Sequence, residues 1–128
     1  MENLEKNQIE NLLLNYQDAL NASDSTKAVS LYTHDGVFMP TQAPTAEGPE
    51  QLKASYDYVF HTIQLKITFS IKEIEISGNY AFALTHSKGE TLIHATGATV
   101  PEENREIFVL QKIQEDWKIA RYMFNKMS

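Results

Sequence analysis

Residues 65–77 read Leu65-Lys66-Ile67-Thr68-Phe69-Ser70-Ile71-Lys72-Glu73-Ile74-Glu75-Ile76-Ser77. Leu65, Ile67, Phe69 and Ile71 alternate with polar partners, which is the period of a half-buried antiparallel strand. The apolar positions then move from odd to even numbers at Ile74 and Ile76. One extra residue near Lys72-Glu73 returns both runs to one face, so the spacing predicts a β-bulge there. Bulges bend sheets, and a strongly bent sheet wraps round a pocket.

Strand patterns continue downstream. Ser77-Gly78-Asn79 is a hairpin turn leading to Tyr80, Phe82 and Leu84. A kink is expected around Ser87-Lys88-Gly89, a loop over 97–104, and strands over 106–113 and 117–125 joined by a tight turn at Glu115-Asp116. Upstream the period changes to that of helices. Ile9, Leu12, Leu13, Tyr16 and Leu20 form one apolar stripe. Ser23 or Asp24 caps a short second helix burying Ala28, Leu31 and Tyr32. His34-Asp35-Gly36 is a turn signal, and Val37-Phe38-Met39 is a brief strand ended by Pro40. Gly48-Pro49-Glu50 opens a third helix, with Pro49 at its first position and Leu52, Tyr56, Val59, Phe60 and Ile63 on its buried stripe. Three helices followed by long strands define an α+β domain over 1–128, a cone-shaped curved antiparallel sheet packed against three N-terminal helices.

Composition narrows the function classes. Acidic residues outnumber basic ones by 17 to 11 and the net charge is -6, with no basic cluster, so a nucleic-acid partner is not expected. Cysteine is absent, which excludes disulfides and thiolate metal sites. The first residues lack the apolar core of a signal peptide or membrane span, so a cytoplasmic address without a membrane partner is the expectation.

The stretches from Tyr16 to Asp24, from Ala28 to Asp35 and Gly48-Pro49-Glu50 resemble the opening of the nuclear-transport-factor-2-like, or ketosteroid-isomerase-like, superfamily. The ending, from Asn104-Arg105-Glu106-Ile107-Phe108-Val109 through Trp117 to Asn125, resembles its SnoaL-like branch. The resemblance implies the cone fold and a homodimer formed through the convex face. The scaffold hosts isomerases, cyclases, dehydratases, epoxide hydrolases and binding modules, so it does not by itself imply one reaction. In the steroid isomerases a tyrosine of the first helix donates to the developing enolate; Tyr16, eight residues before Asp24, matches it. The general-base aspartate falls on Met39 or Pro40, and the second acid falls best on Val109. The isomerase chemistry therefore does not carry over.

Two roles fit Tyr16: a hydrogen-bond donor in the pocket, or a core ring whose hydroxyl reaches a backbone carbonyl. His86 follows Tyr80, Phe82 and Leu84 at period two. On a concave face it is the best acid or base in the chain; otherwise it is a packed, hydrogen-bonded histidine. Arg105-Glu106 and Arg121 read as an ion pair or a dimer contact, with an anion site at Arg121 the alternative. No histidine spacing suits a metal, and no cofactor is expected. Tyr16, Tyr32, Phe38, Tyr56, Phe60, Phe69, Phe82, Phe108, Tyr122 and Phe124 supply a lining for a small hydrophobic ligand. No paired carboxylates are visible in any strand expected to face the pocket. The reading is a small-hydrophobic-molecule binding domain. Its alternative is a cofactor-free isomerase, cyclase or dehydratase on an apolar carbonyl substrate, with Tyr16 as donor and His86 as acid or base. The convex face, with Ile119, Met123 and Val109, is expected to pair two copies.

Overall fold

The computed structural model describes residues 2–127. Helix α1 (Glu2–Asn21) buries the stripe of Ile9, Leu12, Leu13, Tyr16 and Leu20, joined by Ala19. Helix α2 (Ser25–Ser30) is capped by Asp24, whose carboxylate accepts from the Lys27 amide at 3.0 Å. Strand β1 (Tyr32–Met39) runs through the expected turn at His34-Asp35-Gly36. Its pairing register breaks between Tyr32 and Val37, so those polar residues form an irregular stretch inside a longer strand. After the short strand β2 (Ala46–Glu47), helix α3 (Gly48–Thr62) carries proline in its first turn and buries Leu52 and Tyr56.

Four long strands complete the chain: β3 (Ile63–Ser77), β4 (Tyr80–Ile93), β5 (Thr99–Ile113) and β6 (Asp116–Lys126). The sheet order is β2-β1-β6-β5-β4-β3. Every neighbouring pair is antiparallel except β1 and β6, which run parallel, so the sheet is mixed rather than purely antiparallel. The reason is connectivity: α3 and four strands separate β1 from β6, which leaves room for a crossover.

Two bulges bend the sheet. In β3, Ile71 pairs with Thr85 and Glu73 with Leu84, leaving Lys72 as the extra residue where the parity of residues 65–76 requires one. In β6, Val109 pairs with Arg121 and Leu110 with Ile119, so Ala120 is extra. This second bulge puts Trp117 and Ile119 on the same buried side as Tyr122. Ile119 is therefore core, not part of the outer face. A third device sits at Gly89, in the middle of an unbroken β4. A Cβ there would lie 2.0 Å from the Lys66 carbonyl oxygen and 2.8 Å from the Ile67 Cα, so only glycine allows β3 this close.

The polar stretch 97–104 is strand from Thr99 onward, not loop. Pro101 is tolerated because β6 pairs β5 only as far as Asn104; beyond it β5 has β4 on one side alone. On β4 the inward set is Ala81, Ala83, Thr85 and Ser87, while Tyr80, Phe82 and Leu84 face out. Among the described residues no helix is long and apolar enough to cross a membrane.

Candidate active site: a cavity with one polar wall

A cavity of about 650 Å³ lies between the concave sheet, α1, α3 and the loop that follows β1. Most of its wall is apolar. Leu20 comes from α1; Ala54 and Val59 from α3; Ile63, Leu65 and Ile67 from β3; Pro40, Ala43 and Pro44 from the loop. Five of the expected aromatic residues line it: Tyr16, Phe38, Tyr56, Tyr122 and Phe124. Tyr32, Phe60, Phe69 and Phe108 pack against those rings instead of lining the space. Phe108 stacks on Tyr122 at 4.2 Å, Phe69 on Tyr16 at 6.1 Å, and Phe60 and Tyr32 tilt against Tyr56 at 6.0 and 6.1 Å.

Two expectations are corrected here. Phe82 is on the outer face and does not line this cavity. His86 shares that outer face, where its Nε2 lies 2.7 Å from Glu103 Oε2. The apolar run Tyr80, Phe82, Leu84 that placed His86 inward is itself the outward set, so His86 has no access to the cavity.

Tyr16 is at the centre of a hydroxyl cluster. Its Oη is hydrogen-bonded to Tyr56 Oη, which meets Tyr32 Oη at 2.6 Å. The Tyr16 ring is core and the residue also lines the cavity, but its hydroxyl meets Tyr56 Oη and not a backbone carbonyl. Burial pushes the hydroxyls of Tyr16, Tyr32, Tyr56 and Tyr122 well above the ordinary tyrosine value, the bonds among them offsetting only part of it at Tyr16. They stay protonated, and so keep their donors, across the neutral range.

The opposite wall is polar and was missed from sequence. Glu102, Asn104 and Glu106 point inward from β5, and their neighbours Thr85, Ser87 and Thr91 point inward from β4. Glu106 accepts from Thr85 Oγ1 at 2.6 Å and from Ser87 Oγ at 2.5 Å. Glu102 accepts from Thr91 Oγ1 at 2.7 Å, Lys126 Nζ at 2.8 Å and Asn104 Nδ2 at 2.9 Å. Of this carboxylate pair, Glu102 lies in the stretch read as loop and Glu106 at the start of the expected strand 106–113, where it faces the cavity rather than Arg121. Arg121 is exposed and donates to the Asp35 and Ala120 carbonyls. The signal was available: Glu102, Asn104 and Glu106 share parity with the buried Phe108 and Leu110.

The two carboxyls titrate in opposite directions. Burial alone would raise Glu102, but hydrogen bonds from Lys126, Thr91 and Asn104 outweigh it and hold the group below 4.5. Glu106 has no cation bonded to it, and burial raises it above 4.5 despite the hydroxyls of Ser87 and Thr85. Between 4.5 and that raised value the folded chain keeps a proton that the unfolded chain has released. The Glu106 contribution to stability therefore falls as pH rises through that window. Urea unfolding at several pH values should show Glu106→Gln without this decline, and more stable than wild type at pH above the window. A difference between the two that does not change with pH would contradict the assignment. No group of three or more histidine or acidic side chains among the described residues is placed to hold a metal ion.

Residues 13–122 match the family model of the SnoaL-like domain, and the chain belongs to that family. It is similar to a ketosteroid isomerase-like protein from Erwinia carotovora atroseptica SCRI1043, with 33% identity over 94% of this chain and 95% of the other and a TM-score of 0.90. A nuclear transport factor 2-like superfamily protein from Salmonella enterica serovar Typhimurium shares the fold with a TM-score of 0.88 at 19% identity, over 100% of this chain and 94% of that one. A proposed dehydratase of the same superfamily from Streptomyces avermitilis does so at 0.83 and 14% identity, over 100% and 99%. No curated protein matches the sequence at a significant level.

Proposed function

We propose that the chain binds one small, largely apolar molecule in this cavity, with the molecule's polar end against the wall of Ser87, Asn104 and Glu106. The observation that carries the reading is the cavity itself: about 650 Å³ of mostly apolar lining with its buried carboxyls and amide gathered on one side. Ligand sites are usually of about 300–1,000 Å³ and have that division. A ligand that binds only the folded chain stabilises it by about 2.7 kcal/mol at one hundred times its dissociation constant. Near-saturating 1-methylnaphthalene should therefore raise the melting temperature by several degrees, while glycerol at the same concentration should not. No shift with any aromatic hydrocarbon of that size overturns the reading.

A second reading, acid–base catalysis without a cofactor, is favoured by one observation. Glu106 is a carboxyl raised by burial on the wall of a cavity that Tyr16 also lines. Such a carboxyl holds and returns a proton closer to neutral pH than an ordinary one, and a protonated tyrosine lining the same cavity can polarise a carbonyl. The geometry supports Glu106 in the role first read at His86. Isomerisation, cyclisation or dehydration of an apolar carbonyl compound all fit, and the Streptomyces avermitilis relative is a proposed dehydratase.

The proposal includes a second copy of the chain on the outer face of the sheet. Phe82, Leu84, Ile107 and Met123 are 37–43% exposed there, on three adjacent strands. Glu103, Arg105 and Arg121 flank them with both signs of charge, so the patch complements itself under a twofold axis. Light scattering at micromolar concentration should give twice the 14.6 kDa chain mass. The double variant Leu84→Lys/Ile107→Lys should give the single mass. A wild type that stays monomeric removes this part of the proposal.

A further inference from the structure

The polar wall has spent its donors and kept an acceptor. Asn104 is 5% exposed and its amide nitrogen reaches both Ser87 Oγ, at 3.2 Å, and Glu102 Oε2, at 2.9 Å. The hydroxyls of Thr85, Ser87 and Thr91 all donate to carboxylates. Asn104 Oδ1, by contrast, is buried with no hydrogen-bond partner among the described residues. Reversing the amide does not relieve this, because it would set the amide oxygen against the Glu102 carboxylate. A buried acceptor without a partner is costly, on the order of 1–3 kcal/mol, and calls for a donor from outside the chain.

Charge points the same way. The wall holds two carboxyls, and its single ammonium, Lys126 Nζ, is already bonded to Glu102. An anionic head group would meet no free donor on this wall and would sit beside Glu102 and Glu106. We infer that the molecule taken up by this cavity carries a hydrogen-bond donor, a hydroxyl or an amine, on its apolar body, and that Asn104 Oδ1 and the Glu106 carboxyl receive it. This rests on the binding reading above and adds the chemical class of the ligand to it.

Four probes on one naphthalene body separate the possibilities: 1-ethylnaphthalene, 2-(1-naphthyl)ethanol, 2-(1-naphthyl)ethylamine and 1-naphthylacetate. Titration calorimetry of the wild-type chain should rank the alcohol and the amine about 5- to 100-fold tighter than ethylnaphthalene, the range expected when a buried acceptor gains its partner. Naphthylacetate should bind more weakly than ethylnaphthalene. In Asn104→Leu the advantage of the alcohol should shrink to within about threefold, while ethylnaphthalene keeps its affinity. Should that variant fail to fold, Asn104→Ser serves in its place, and the wild-type ranking is a test without either. If ethylnaphthalene binds but head groups make no difference, or naphthylacetate binds best, the inference is overturned and the binding reading stands. If none of the four binds, the binding reading itself falls.

Discussion

Glu106→Gln should slow exchange of the α-protons of an apolar ketone held in the cavity by about 10²- to 10⁴-fold, the usual worth of a positioned general base. Proton exchange into deuterated solvent, followed by nuclear magnetic resonance with 1-acetylnaphthalene, reads this without knowledge of the natural substrate. On the catalytic reading the bond broken would be the ketone's α C–H, with the proton passing to the Glu106 carboxylate and the enolate oxygen met by the Tyr16 hydroxyl. The substituted amide retains the shape and the neighbours Thr85 and Ser87 but cannot take the proton. His86→Gln should leave the rate unchanged, because His86 is on the outer face against Glu103. Equal exchange in wild type and Glu106→Gln, with the ketone bound in both, would remove the catalytic reading and leave a binding protein.

The second large effect is structural. Gly89→Val should destabilise the fold by more than about 4 kcal/mol, the exceptional end of the range for single substitutions. The three atoms nearest the position of a Cβ at Gly89 are all main chain of Lys66 or Ile67, so no side chain can swing away to relieve the clash. Strand β3 would have to part from β4 next to the polar wall. Gly78 is the control: it has φ of +62° and nothing within 4 Å of its Cβ position, so Gly78→Ala should cost only about 1 kcal/mol of backbone strain. Urea unfolding of both variants checks the pair. A loss below about 2 kcal/mol at Gly89→Val, within the ordinary range for single substitutions, would mean that the close approach of β3 does not bend the sheet.

The contrast between what the sequence disclosed and what it hid has one physical cause. Where a side chain is apolar and its partner polar, parity reports which way it points, and residues 65–76 revealed both the strand and its bulge at Lys72. The helix stripes of Ile9 to Leu20 and of Leu52 and Tyr56 were legible for the same reason. The rule inverts on β4. There the concave positions are alanine, threonine and serine, while Phe82 and Leu84 stand outward. It fails again on β5, where Glu102, Asn104 and Glu106 are buried by hydrogen bonds with Thr91, Ser87 and Thr85 of β4, and one bond from Asn104 to Glu102 runs along β5 itself. A buried polar ladder looks like a surface loop until its partners are known, since most of its hydrogen bonds run to residues far away in sequence. Tyr16 was found through its place on an apolar helix and a resemblance. Glu106 needed the pairing of Thr85 with Glu106 and Ser87 with Asn104 to bring its wall together.

The central claim is that the cavity is a site for an apolar molecule. Calorimetric titration of N-phenyl-1-naphthylamine into the wild type and into Ala54→Trp tests it most directly, since Ala54 is on the cavity wall near the exposed surface of α3 and an indole there fills the space. The wild type should bind one molecule per chain with a negative heat-capacity change, the mark of apolar burial. Ala54→Trp, with its melting temperature retained, should bind at least about tenfold more weakly, a loss of roughly 1.4 kcal/mol. Undiminished binding by Ala54→Trp, or none by the wild type, would contradict the account.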